Sequence, residues 1–406
     1  MKQTPGDMVN YRTGWYKKEI ANTNSVTFLF NDGTWSKTVK DNGNDFVTTS
    51  HIWVSKNGSK SYTDPFVVTT TTTTTTTIYN GPTTTIQVSE DPMNLRIYQV
   101  MVSSFMDGAA VGYGTGYGPG PHNGDLRGII NSLNYIKGLG MNAIWLTPIF
   151  DSEGGGQLDS TGYFTKNYFQ IDPKFGTLDD AKELVREAHK LGMYVFLDGV
   201  FGHHKGDVRP SPTGKTPTGG NNPVSYPGSL EFYKEVATYW IDELEIDGWR
   251  LDQAYQVANG PHDGKYFQDK NYWQDIRKTV EQKCAQRKAS GKQWGILGYM
   301  VGEIWDGGGE SIKKNAYDGY NGEKGLLSCF DFPGRYKLVQ TLAAEESKMS
   351  NGGDASALNG LFSTPDKISG VMPNMFLTNH DVVRLGDLIQ RKGLGEYWER
   401  HYAALS

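Results

Sequence analysis

From about Leu95 to the end of the chain, short apolar runs that stop at Pro, Asp or Glu take turns with amphipathic stretches. Segments of strand period alternating with segments of helix period imply βαβ units, and hence a parallel sheet covered by helices. Strands are expected at Leu95–Val102, at Asn142–Thr147 before Pro148, and at Met193–Leu197 ending on Asp198. Further strands are expected at Asp247–Asp252, Gly298–Val301, Leu326–Phe330 and Met372–Leu377. Between them, Leu178, Ala181, Leu184, Val185, Ala188 and Leu191 share one helical face, with Thr177 as N-cap, Asp180 near the capping-box position and Gly192 as the stop. Phe232, Val236, Trp240 and Leu244 mark a second helix, Tyr336–Lys348 a third, and Tyr397–Leu405 one after the seventh strand. The fold class expected is α/β, a (β/α)8 barrel. Seven strands are counted, so the eighth strand and helix are expected to be absent from this chain.

The run Thr69–Thr77, resumed at Thr83–Thr85, has no periodicity and reads as an extended, solvated linker. It divides the 406 residues into a β module over 1–66, a Thr-rich linker over 67–90 and the barrel over 91–406. In the module Val26, Phe28 and Phe30 alternate with polar neighbours up to the turn Asn31-Asp32-Gly33, and His51–Ser55 leads to Lys56-Asn57-Gly58. That is a small β-sandwich-type unit, with little chain to bury a core. Between His203 and the helix that carries Phe232, about 205–227 is a segment rich in Gly, Pro and Thr.

A net charge of −5 offers no basic face to a nucleic acid. No apolar run approaches the roughly 20 residues that cross a bilayer. The opening MKQTPGDMVNY lacks the apolar core of a signal peptide, so an export signal would have to lie outside this chain. Cys284 and Cys329 are too few for a disulfide framework and read as two buried thiols. Ten Trp and 23 Tyr suit packing against sugar rings, and equally suit a large core. No organic cofactor, nucleic-acid partner or membrane span is indicated, and the chain is read as a monomer.

The strand ends carry the chemistry. Asp198 closes the third strand, with His203 close behind. Arg250 and Asp252 close the fourth and Glu303 the fifth, and His380-Asp381 follows the seventh. In a parallel barrel these ends open into one mouth, where barrel enzymes keep their reacting groups. Paired carboxylates can protonate a glycosidic oxygen and attack the sugar. Their mutual repulsion keeps one protonated and one ionised, and a neighbouring Arg favours the ionised one. Arg250 and Asp252, two residues apart on a strand, face the same way.

The motifs DGVFGH from Asp198, GWRLDQAYQ from Gly248, VGEIW from Val301 and FLTNHD from Phe376 resemble the four signature regions of glycoside hydrolase family 13, the α-amylase family. The resemblance runs from about Asn94 onward and includes GDLRGIINSLNYIKGLGMNAIWLTPIF and TGYFTKNYFQIDPKFGTLDDAKELV. It implies a retaining α-glucan hydrolase, an α-amylase cleaving internal α-1,4 bonds of starch and maltooligosaccharides. Asp252 would be the nucleophile, Glu303 the general acid/base and Asp381 the third carboxylate. His203 and His380 would hydrogen-bond the sugar, Arg250 would orient the nucleophile and Tyr163 would stack beneath the ring. Asp198 would support the site or merely cap a loop. The N-terminal segment is similar to the later part of family 26 starch-binding modules, which implies sugar platforms at Trp15, Trp35 and Trp53; packing within the module is the other reading of each.

Three departures from the family's pattern bear on function. Gly202 stands where many members have a calcium-binding Asn. Tyr255-Gln256 stands where many have Lys-His, residues that meet sugar on the leaving-group side. The family's inserted domain is very short here, at about 205–227, which also removes the usual setting for calcium between barrel and insert. Asp107 and Asp125 could hold calcium elsewhere, in the Gly-rich loop after the first strand, or could simply be solvated. A transglycosylase with the same acids is the first alternative, with Tyr255, Gln256 and Trp305 setting the balance. A non-catalytic starch-binding protein is another. A metal-dependent amidohydrolase is disfavoured, because Arg96-Ile97-Tyr98-Gln99-Val100 lacks His-x-His. Starch as substrate and a Thr-rich linker suggest a secreted or cell-surface protein.

Overall fold

The computed structural model describes residues 90–108, 123–156, 158–258, 269–306, 308–342, 355–384 and 387, together with six short strands before residue 62. The chain divides into two compact units, Met1–Thr84 and Thr85–Ser406.

In the first unit Val9–Arg12, Trp15–Lys17, Trp53–Ser55 and Lys60–Ser61 pair in that order as an antiparallel sheet, and Val26–Phe28 pairs with Phe46–Thr48. Trp15 is opposite Ser55, and Trp53 is opposite Ser61. Trp35 lies outside the described residues.

The second unit is built on seven parallel strands: β1 (Ile97–Val100), β2 (Ala143–Leu146), β3 (Tyr194–Gly199), β4 (Gly248–Leu251), β5 (Tyr299–Gly302), β6 (Ser328–Phe330) and β7 (Met372–Asn374). Their spatial order follows the chain, each pairing with the next, which is the order of a (β/α)8 barrel. The main covering helices are α1 (Leu126–Gly138), α2 (Leu178–Lys190), α3 (Leu230–Leu244), α4 (Trp273–Ala289) and α5 (Phe332–Leu342). The expected strands are all present; five are shorter than the expected runs, while β3 extends two residues past Leu197 and β5 one past Val301. The third expected helix begins at Phe332, four residues before Tyr336. Tyr397–Leu405 lies outside the described residues.

Period-two alternation sorts the strand residues into two cores. Ile144, Leu146, Val195, Leu197, Trp249, Leu251 and Met300 join the large cluster under the helices. Ala143, Trp145, Tyr194, Phe196, Tyr299, Val301 and Phe330 form a separate cluster inside the barrel. Gly248 lets β4 pass close to β5, since a Cβ there would lie 1.9 Å from the Tyr299 carbonyl oxygen. The capping box of α2 is complete: Thr177 accepts from the Asp180 amide at 3.1 Å, and the Asp180 side chain accepts from the Thr177 amide at 2.9 Å. Both cysteines are buried and unpaired, and burial pushes the Cys284 thiol up to about 12.

Candidate active site

The inward period continues past the apolar layer and becomes polar. Phe196 is followed on the inner face by Asp198, Arg250 by Asp252 and Val301 by Glu303, with Asp198 in register opposite Arg250. The outer-facing neighbours Leu197 and Leu251 stay in the helix-covered core. The sheet thus gathers three acids and one Arg at one end.

Arg250, fully buried, is the hub. Its Nη1 donates to Asp198 at 3.0 and 3.1 Å and to Asp252 Oδ1 at 2.8 Å. Its Nη2 lies 2.7 Å from Glu303 Oε1, an ion pair set outside hydrogen-bonding angles. The guanidinium also lies over the Trp145 ring, 5.0 Å from its centroid, where cation–π attraction adds to the pairing. One buried cation faces three carboxyl groups, so the set is most stable with one of them protonated. Burial pushes Glu303 up furthest, to about 8, with Asp252 and Asp381 adding and Arg250 opposing. Its Oε2 accepts from the amide of Gln253, a residue whose left-handed φ of 41° turns that amide toward it. Burial pushes Asp198 up as well, opposed by Arg250. Its contacts all come from donors, including Trp145 Nε1 at 3.1 Å and Tyr163 Oη at 2.8 Å, and they favour the ionised form.

The remaining expected residues line the same mouth. Tyr163 stacks on His380 with ring planes 2° apart and centroids 5.5 Å apart. His380 Nε2 lies 3.3 Å from Asp381 Oδ2, and burial pushes both groups toward neutrality, the imidazole down to about 3. His203 Nε2 is 3.7 Å from Asp252 Oδ2. Tyr255 bonds Gln253 Oε1 at 2.6 Å, beside the Glu303 loop.

Gln256 is placed differently from the expectation of a sugar contact. It is fully buried behind His203, with Oε1 2.9 Å from His203 Nδ1 and Nε2 donating to Asn222 at 2.8 Å. The Gly202 departure has the same origin. A Cβ on residue 202 would lie 2.2 Å from Gln256 Oε1, so the Gln256 side chain occupies the space an Asn at 202 would need. Asp125 is the N-cap of α1, its Oδ1 accepting from the amides of Gly128 at 2.6 Å and Gly108 at 2.9 Å. Among the described residues no group of three or more His, Cys, Asp or Glu side chains is arranged for a metal, and most of the loop between Asp107 and Asp125 lies outside them. Sequence reasoning missed Trp145, Gln99 and Gln253. Trp145 lies on the inner face of β2, but its run is apolar throughout, so no alternation in the sequence marks it.

A buried Arg joining three strand-end acids, ringed by Tyr and His, defines a barrel enzyme site built for acid/base and carboxylate chemistry. The family model described as "Alpha amylase, catalytic domain" matches residues 99–210 and 229–405, and the chain belongs to that family. The crystal structure of a variant of AmyP in complex with maltotriose is similar to this chain at 53% identity and a TM-score of 0.68, over 76% of this chain and 63% of that one. The cyclomaltodextrinase of Thermoanaerobacter pseudethanolicus is 29% identical over 64% of this chain and 45% of its own length. The intracellular maltogenic amylase of Bacillus subtilis is 27% identical over 64% and 43%. The chain thus spans less than half the length of these two curated relatives.

Proposed function

We propose that this chain carries the catalytic barrel of a retaining α-glucan hydrolase acting on internal α-1,4 bonds of starch and maltooligosaccharides. The observation that carries the reading is the single Arg250 guanidinium with Asp252 on one nitrogen and Glu303 on the other. That fork sets the two carboxyl groups side by side, the close arrangement a covalent route needs.

In the first step a lone pair of the Asp252 carboxylate attacks the anomeric carbon. The bond to the leaving oxygen breaks, and the Glu303 proton moves to that oxygen. In the second, Glu303 takes a proton from water, the resulting hydroxide attacks the same carbon, and Asp252 leaves as a carboxylate. Positive charge on the ring rises in the transition state of each step. Asp381, beside His380 at the rim, binds the hydroxyls of the distorted sugar. His203 and Tyr163 complete the pocket wall.

Transglycosylation needs only that a sugar hydroxyl replace the water. The partly exposed Trp305, two residues beyond Glu303, offers a face for such an acceptor. Cyclomaltodextrinases and maltogenic amylases among the relatives also make cyclic or short glucans candidate substrates. Chromatography of products from starch, pullulan, cyclodextrin and maltoheptaose distinguishes these readings. Shortened linear products support hydrolysis, and longer or cyclic products from maltoheptaose overturn it in favour of transfer. Starch binding through Trp15, Trp35 and Trp53, calcium at Asp107 and Asp125, a monomeric state and export belong to the same proposal; adding chelator to the assay tests the calcium.

A further inference from the structure

The two ends of the strand order meet through side chains. Gln99, on β1, reaches His380, six residues beyond β7, by two contacts. Gln99 Oε1 accepts from the His380 backbone amide at 3.2 Å, and Gln99 Nε2 lies 2.5 Å from His380 Nδ1. We propose that Gln99 is a positioning residue that holds His380 as the neutral Nε2–H tautomer and thereby sets the direction of every hydrogen bond from β1 to Asp198.

The polarity of the chain follows from its two ends. A backbone N–H can only donate, so the Gln99 atom facing it is the carbonyl oxygen and the other is the NH2 group. That NH2 donates to Nδ1, which must then carry a lone pair, so the ring proton sits on Nε2. Nε2 lies 2.8 Å from Tyr163 Oη, so the phenol accepts from it and gives its own proton to Asp198 Oδ2 at 2.8 Å. Asp198, paired with Arg250, is an acceptor at the far end. Each bond has one consistent direction, and no member is left facing another donor. The edge of the Trp145 ring system packs against His380, with centroids 5.8 Å apart, and restrains the imidazole on that side. Arg250 also disfavours a second ring proton. The sugar-facing wall of Tyr163 and His380 is therefore fixed before substrate arrives.

This inference rests on the proposed function only for its kinetic consequence; the tautomer is measurable without turnover. The test is nitrogen-15 NMR of the full chain with labelled histidine at neutral pH, the His380 signal being assigned by its loss in His380→Asn. Protonated Nε2 with a bare Nδ1 is expected, and a protonated Nδ1 in the wild-type chain overturns the proposal. In Gln99→Glu the carboxylate cannot donate, so Nδ1 becomes protonated; an unchanged tautomer there also overturns it. If that variant fails to fold, the wild-type measurement stands as the test. With maltoheptaose, Gln99→Glu and Gln99→Leu should lower kcat at least about tenfold, the scale of one lost buried partner, with KM changing less. Unaltered kcat in a folded variant would show that the orientation has no catalytic role. A wild-type chain with the expected tautomer and no glycosidase activity would contradict the proposed function alone.

Discussion

Arg250 and Asp252 sit two residues apart at the end of one strand, and a 2.8 Å hydrogen bond joins Nη1 of the first to Oδ1 of the second. The bond spans a strand repeat, so the backbone sets its geometry. Arg250 has no exposed surface and holds Asp198 and Glu303 as well. Replacing it with Met leaves several buried carboxyl groups without their cation, a change that costs about 3–5 kcal/mol in comparable buried pairs. Arg250→Met should therefore lower denaturant stability by that order and abolish hydrolysis. Arg250→Lys, which keeps the charge and loses the fork, should regain more stability than activity. Equal recovery of both would contradict the role given to the fork.

Glu303 supplies a pH test whose sign is fixed. Burial first, and Asp252 and Asp381 after it, raise Glu303 from the ordinary 4.5 to about 8, against the pull of Arg250. The protonated acid is thus present below about pH 8, and kcat should fall as pH rises through that value. For stability, the folded chain binds a proton that the unfolded chain has lost between 4.5 and about 8. This contribution is complete below 4.5 and disappears as pH rises through the folded value. Glu303→Gln should abolish turnover of unactivated substrates and flatten the stability curve over that window. A curve with the same slope as wild type would assign the proton elsewhere.

Gly202 and Gln256 should behave as one unit. With Gln256 Oε1 2.2 Å from where a Cβ on residue 202 would stand, Gly202→Ala forces the amide away from His203. Overpacking of this kind costs about 1–3 kcal/mol. Gln256→Ala opens that space, so the double variant should lose less than the sum of the single ones in a thermodynamic cycle. Additive losses would mean that the two side-chain positions do not compete.

How much of this was readable beforehand differs between layers. The strands could be located because β2, β3 and β5 are unbroken apolar runs, and the α2 boundary because Thr177 and Asp180 are a cap pair. Asp198, Arg250, Asp252 and Glu303 are visible as polar residues at the ends of apolar strand runs. Gln256 was not placed correctly, since nothing in the local pattern tells that a polar side chain in a short turn folds back into the void beside a glycine. Gln99 was hidden because its partner His380 is 281 residues away, and period two on β1 says only which way it points. Asp125 illustrates a general ambiguity: an acid in a Gly-rich loop before a helix reads as a cation ligand or as an N-cap, and the local pattern does not reveal that its Oδ1 caps α1.

The α2 cap gives a prediction independent of function. Thr177→Ala removes the acceptor for the Asp180 amide and should cost about 1 kcal/mol, the usual value of such a cap. Equilibrium unfolding should show it with kcat unchanged, and a loss of activity at full stability would point to a role for that loop in the site.

The central claim is that Asp252 becomes covalently bound to sugar, and trapping the intermediate tests it most directly. With Glu303→Gln and an activated maltosyl fluoride, the first step needs no acid while the second lacks its base, so the intermediate should accumulate. Peptide mass spectrometry should then find a maltosyl adduct on the peptide containing Asp252, absent in the same chain carrying Asp252→Asn. An adduct on another carboxylate, or turnover of the fluoride with inversion at the anomeric carbon and no adduct, would contradict the account.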